Sequence, residues 1–232
     1  MKTIQFLFFL LPIIFLFLLT SCERAEEDIL QLMPENTEVL FENDYIRVLN
    51  ITLEPGEAQP LHRCGNRIIY AKNDYTINYY QPEDTTQIPW NKGGVHWHEE
   101  GYHAVENVGE SMVDYLLIAR KEERLPDVDE EIIPEPDPIL AETGFVQEFF
   151  ENDHARISRF MLPAGEALPE HDGLNRLIYT QSDFRIRFTS EATGTVEREY
   201  ETGELGWYSA GAHTVENIGE TDAEFIVMSF LQ

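Results

Sequence analysis

"PLHRCGNRIIY", from Pro60 to Tyr70, returns as "PEHDGLNRLIY", from Pro169 to Tyr179, 109 positions later. Pro, His, Asn, Arg, Ile and Tyr recur in place, whereas the position two after each histidine is Cys64 in one copy and Gly173 in the other. The agreement extends outward. Phe41-Glu42-Asn43-Asp44 reappears as Phe150-Glu151-Asn152-Asp153, and Gly56-Glu57-Ala58 as Gly165-Glu166-Ala167. With the offset raised by one, "GYHAVENVGE" from Gly101 matches "GAHTVENIGE" from Gly211. A chain that repeats itself over about 85 residues contains two copies of one structural unit. We place these units at residues 38–121 and 144–232.

Within each copy the apolar period is two. Tyr75, Ile77 and Tyr79 alternate with Thr76 and Asn78, and the matched Phe184, Ile186 and Phe188 alternate with Arg185 and Arg187. Period two is the signature of strands with one buried face. Pro55-Gly56 and Ala164-Gly165 supply turns at strand ends, and no long segment of the mature chain shows a helical stripe. The expected fold class is all-β: two units of many short strands, closed or sandwiched to hide their edges. Between them, residues 122–143 carry Pro126, Pro134, Pro136 and Pro138 among acids and read as an extended linker.

Two motifs make the resemblance specific. Gly56 with five residues to His62, and Gly165 with five residues to His171, match the start of the first motif of the cupins. Gly93, Gly101, His103 and Asn107 approach the second, and Gly203, Gly211, His213 and Asn217 repeat it, each one residue short between the later glycine and the histidine. Each copy therefore resembles a cupin domain, which implies two jelly-roll β-barrels in tandem. Cupins include enzymes, isomerases, storage proteins and sensors, so the resemblance leaves activity open.

A catalytic cupin binds its metal through two histidines and a glutamate of the first motif and a histidine of the second. This chain keeps two of those four in each copy: His62 with His103, and His171 with His213. The glutamate position falls at Ile68 or Ile69, and at Leu177 or Ile178. Two imidazoles alone leave most of a coordination shell to water. In the first copy Cys64 stands at the missing histidine, and alternate residues of a strand face the same way, so His62, Cys64 and His103 form a candidate set for one divalent transition metal such as Zn, Fe, Mn or Cu. The plain alternative is that Cys64 is a small buried apolar residue and no metal is bound. Gly173 offers nothing, which leaves His171 and His213 as a degenerate second site.

His96 and His98 lie on one face of a strand, where either would enlarge the first site, but they read as surface or hydrogen-bonded groups, as does His154. Asn66-Arg67 and Asn175-Arg176 occur in both copies and admit two readings. The guanidinium either holds the carboxylate or phosphate of a ligand at the barrel mouth, or forms an internal ion pair, for instance with Glu106 and Glu216. No nucleophile elbow, phosphate loop or CxxC pair is present, so no catalytic residue is assigned.

The first 21 residues belong to a different problem. A single charge at Lys2, an apolar run from about Phe6 to Leu19 and the ending Leu19-Thr20-Ser21-Cys22 resemble a bacterial lipoprotein signal peptide, with Cys22 as the lipidated residue. The mature protein would then be held on a membrane without spanning it, residues 22–37 forming an acidic tether. Glu23 in place of Asp favours the outer membrane. Removing the signal takes one lysine and no acid, leaving 15 basic against 43 acidic residues, a charge of −28. Such a chain is not built for nucleic acid or anionic lipid. Two functions follow: a small-molecule-binding or accessory lipoprotein, or a metal-dependent cupin enzyme of oxygenase or isomerase type with one site in the first barrel.

Overall fold

The computed structural model describes residues 28–121, 124–126 and 142–231. Cys22, the signal peptide and most of the linker lie outside these residues. The first unit contains β1 (Thr37–Glu42), β2 (Ile46–Leu53), β3 (Ala58–Cys64), β4 (Arg67–Ala71), β5 (Tyr75–Gln81), β6 (Asp84–Trp90), β7 (Val95–His98), β8 (Gly101–Asn107) and β9 (Val113–Arg120). The second repeats them as β10 (Val146–Glu151), β11 (Ala155–Leu162), β12 (Ala167–Gly173), β13 (Arg176–Thr180), β14 (Phe184–Ser190), β15 (Gly194–Tyr200), β16 (Leu205–Tyr208), β17 (Gly211–Asn217) and β18 (Ala223–Phe230).

Each unit is two antiparallel sheets. In the first, β1-β2-β9-β4-β7 faces β3-β8-β5-β6; in the second, β10-β11-β18-β13-β16 faces β12-β17-β14-β15. From β2 to β5 the chain crosses between the sheets at every connection, the winding of a jelly roll. Gly56 and Gly165, which open the first motif, sit at φ +83° and +81° after β2 and β11, where only glycine is unstrained. The β5–β6 hairpin turns on Pro82 and Glu83, and its counterpart β14–β15 on the three residues Glu191, Ala192 and Thr193. Both tips are exposed.

The inner strands of the five-stranded sheets are buried on both faces, because the two barrels pack through them. In β4, Ile68 and Tyr70 enter a shared core with Leu177 and Tyr179 of β13, while Ile69 and Ala71 point into the first barrel. In β18, Ile226, Met228 and Phe230 join the shared core and Phe225 and Val227 the second barrel. Two-sided burial explains the unbroken apolar runs "IIYA" and "FIVM". The seam carries the pseudo-symmetry of the repeat. Tyr45 stacks on Trp207 at 5.8 Å, and its counterpart His154 stacks on Trp97 at 4.9 Å. His154 is exposed, as expected, while its ring meets Trp97 of the other barrel. Leu125, in the described part of the linker, is buried in the same core.

The end of the tether is ordered against the first barrel. Ile29–Leu32 form a short helix, α1, with Asp28 as its N-cap, and Ile29 is buried in the first barrel's core. The aspartate also pairs with Arg47 at 2.7 Å. This apolar patch docks on the barrel. No helix among the described residues is long and apolar enough to cross a membrane.

Candidate metal and ligand sites in the two barrels

The histidines of the two motifs are set by strand pairing. His62 on β3 lies opposite His103 on β8, and His171 on β12 opposite His213 on β17. Ring centroids are 4.4 and 4.2 Å apart, and all four residues are buried. The register of each pair shifts just before the first histidine, between Gln59 and His62 and between Leu168 and His171. Proline causes no loss here, since β3 and β12 are edge strands, and a bulge re-aims the side chain that follows it. The proline carbonyl completes the arrangement. His62 Nδ1 donates to Pro60 O at 2.8 Å and His171 Nδ1 to Pro169 O at 2.7 Å, which leaves Nε2 of each ring as the acceptor. The repeated Pro-x-His is thus one device for fixing a tautomer.

Desolvation keeps His62, His103 and His213 neutral. His103 and His213 are each pushed down to about 2, mainly by burial and then by the adjacent arginine, and His62 is lowered by burial. Neutral imidazole is the form that binds metal.

Arg67 and Arg176 hold the position that decides the chemistry. They are 2% and 5% exposed, and neither pairs with a carboxylate among the described residues. Arg67 Nη1 donates to the carbonyls of Gly65 and Glu99, and its Nη2 lies 3.3 Å from His103 Nε2. Arg176 Nη1 donates to Leu174 O at 2.9 Å and Ser209 O at 3.2 Å. Its Nη2 donates to His213 Nε2 at 3.0 Å, while His213 Nδ1 donates to Gly211 O. The expected ion pairs with Glu106 and Glu216 do not form. Glu106 accepts from Tyr80 and Asn78, and Glu216 pairs with Arg187 at 2.5 Å. In both barrels a guanidinium rests on the histidine that a metallocupin uses as a ligand. The asparagines beside them are structural: Asn66 accepts from Glu100 N, and Asn175 accepts from Ala210 N and donates to Pro126 O.

The barrels differ around that common plan. In the first, the ligand atoms of His62, Cys64 and His103 lie within 4.8 Å of one another. A tetrahedral ion with bonds near 2.0–2.3 Å needs about 3.5 Å between ligands, so modest side-chain movement closes the set. Cys64 is half-buried and also lines a surface groove with Arg63 and Trp97. Burial raises its thiol, so an incoming metal must displace a proton. The residues fit a borderline metal, against the opposing charge of Arg67. In the second barrel they do not. A Cβ at Gly173 would lie 2.5 Å from Arg176 Nη1 and 2.8 Å from His213 Cε1. The guanidinium fills the space of the missing side chain, and His213 Nε2 is already occupied.

His98, expected at the surface, turns inward: it lines the first barrel's cavity with His103 and Arg67, 5.3 Å from the Tyr79 ring. Burial pushes it down to about 3. His96, 4.5 Å from His98 between ring centroids, stays exposed. At the glutamate position Ile69 and Ile178 face the cavities, and Ile68 and Leu177 face the partner barrel.

The sequence matches no protein-family model and no curated protein. Solved structures do resemble it. AerE from Microcystis aeruginosa superposes with a TM-score of 0.61 at 18% identity, covering 84% of this chain and 92% of that one. A tryptophan-to-tyrosine variant of Bacillus subtilis oxalate decarboxylase gives 0.57 at 13% identity, covering 84% and 72%. A structure of the same enzyme described by its Mn(II) centers gives 0.54 at 14%, covering 84% and 75%. At these identities the likeness is one of fold, and the fold is that of a tandem cupin.

Proposed function

We propose that this tandem cupin is a small-molecule-binding lipoprotein of the bacterial envelope, with an arginine in each barrel where metallocupins hold an ion. The observation that carries this reading is the contact of Arg67 with His103 and of Arg176 with His213. A buried cation at the ligand histidine disfavours a second cation there, and it supplies by itself the positive charge an anionic ligand would seek in a metal. Elemental analysis of the full-length protein, before and after incubation with excess Zn²⁺, is the test. Metal-free protein of normal stability supports the reading; two equivalents of bound transition metal would sink it.

The His62–Cys64–His103 group favours a second reading, confined to the first barrel. One ion held there would leave a coordination position open and act as a Lewis acid on a bound substrate. His62 and His103 would bind through nitrogen and Cys64 as thiolate, with His98 on the cavity wall as a neighbouring base. One equivalent of metal, lost in both Cys64→Ser and His62→Ala, would establish this reading over the first.

The anchoring follows from the signal-like sequence ending at Cys22. Cys22→Ala is expected to move the protein from the membrane fraction to the soluble one, with no diacylglyceryl mass on the N-terminal peptide. Residence in the outer membrane is part of the same proposal, and density fractionation of envelopes tests it.

A further inference from the structure

The two barrel interiors are not equally full. The second encloses a cavity of about 90 Å³ and the first one of about 30 Å³. Matched positions explain the difference: Tyr79, Trp90, Tyr115 and Leu117 become Phe188, Tyr200, Phe225 and Val227, each smaller. One buried polar contact is also lost. In the first barrel Gln59 donates to the Tyr115 hydroxyl at 3.0 Å inside the core, whereas Leu168 and Phe225 stand at those places in the second.

At one end of this apolar space sits Arg176. Three of its five N–H groups are used, on two carbonyls and His213, and Tyr208 covers its face at 5.5 Å. Nε–H and one Nη2–H have no partner among the described residues. Asp172, the carboxylate on the cavity wall, forms no ion pair with it. Burial without a counter-ion pushes this guanidinium down to about 10. A cation so placed is favoured only when something anionic comes to it.

We infer that the second barrel binds a small monocarboxylate with an apolar body, an aromatic or branched aliphatic acid, whose carboxylate docks on Arg176. Of the two guanidiniums on the cavity wall, Arg156 is neutralised by Glu148 and Glu151, Arg176 matches one carboxylate through paired N–H donors, and the neutral His213 brings no second charge for a phosphate dianion. The body of the ligand lies against Phe184, Ile186, Phe188 and Phe225. Few convergent polar groups in a mainly apolar pocket are the pattern of a small-molecule site. This inference rests on the binding reading above and names the ligand class for one of its barrels.

The test is calorimetric titration of the full-length protein, in a neutral detergent, with benzoate and hexanoate and with their uncharged partners benzamide and hexanamide. The acids are expected to bind saturably at one site and at least about tenfold tighter than the amides, the difference made by hydrogen bonds to a charged group. EDTA is expected to leave this unchanged, as is Arg67→Gln in the other barrel. Ile186→Trp, which fills the cavity without touching Arg176, is expected to remove binding while thermal unfolding stays cooperative. Equal binding of acid and amide, or none of either to folded metal-free protein, would overturn the inference and leave the binding reading standing. Stoichiometric metal in the second barrel would overturn that reading first.

Discussion

The two barrels share backbone, motif glycines, paired histidines and a buried arginine, and differ in what fills the room beside that arginine. The first fills it with titratable and polar groups: Cys64, His98, Tyr115 and Gln59. The second has glycine, leucine and phenylalanine in three of those places and keeps open volume. One scaffold thus holds a crowded interior rich in possible metal ligands and a roomier one rich in apolar wall. Duplication let the copies depart in opposite directions from a common arginine-centred plan.

Gly173→Ala should separate them most widely, since it drives a methyl into the Arg176 guanidinium. It is expected to cost about 3 kcal/mol in urea unfolding, whereas Cys64→Ala in the first barrel should cost about 1. Equal costs would mean that Arg176 moves freely.

Acid should come next. A histidine held neutral in the folded state stabilises it above its unfolded value near 6.5, and that stability is lost as pH falls, because the unfolded chain takes up the proton first. His62, His98 and His103 are lowered in the first barrel, and His213 in the second. His98, matched by Tyr208, has no counterpart, and between pH 6.5 and 5 it alone gives the first barrel a deficit of about 2 kcal/mol. Amide exchange corrected for intrinsic rates is expected to show strands β3, β7 and β8 opening before β12, β16 and β17 as pH drops to 5. Simultaneous opening would break the contrast.

Smaller effects follow from the arginine and from the seam. Arg67→Met removes the charge facing the His62–Cys64–His103 group and is expected to tighten Zn²⁺ at least about tenfold, measured by competition with a chelating dye. Because the buried thiol must lose its proton, that affinity should rise with pH. At the seam, where the copies are most alike, His154→Ala and Tyr45→Ala each remove one aromatic stack and should cost about 1 kcal/mol alike.

Much of the architecture was legible because it is written twice. Alternation in Tyr75-Ile77-Tyr79 and Phe184-Ile186-Phe188 marked inward faces, and the motif spacing brought His62 to His103 and His171 to His213. What escaped depends on three-dimensional proximity. Nothing in "NRIIY" says that the arginine folds back on a histidine 36 residues later, and the fuller signal was negative: a glycine two residues after His171, needed because the guanidinium lies there. The inter-barrel core had a visible sign in "IIYA" and "FIVM", too apolar for a sheet with one wet face. The docking of Ile29 and the stacking of His154 on Trp97 left no sign because isolated aromatic or apolar residues carry no period.

The turn of the β5–β6 hairpin is two residues and that of β14–β15 three, and this is where the offset between the copies changes from 109 to 110. In the five-stranded sheets, neighbouring residues of one strand serve different cores, so an inserted residue there would exchange the two cores at a stroke. At an exposed hairpin tip it disturbs neither. The gene, once duplicated, was free to change in composition almost anywhere, but in length between Phe41 and Asn107 it has changed only where the chain turns in open water.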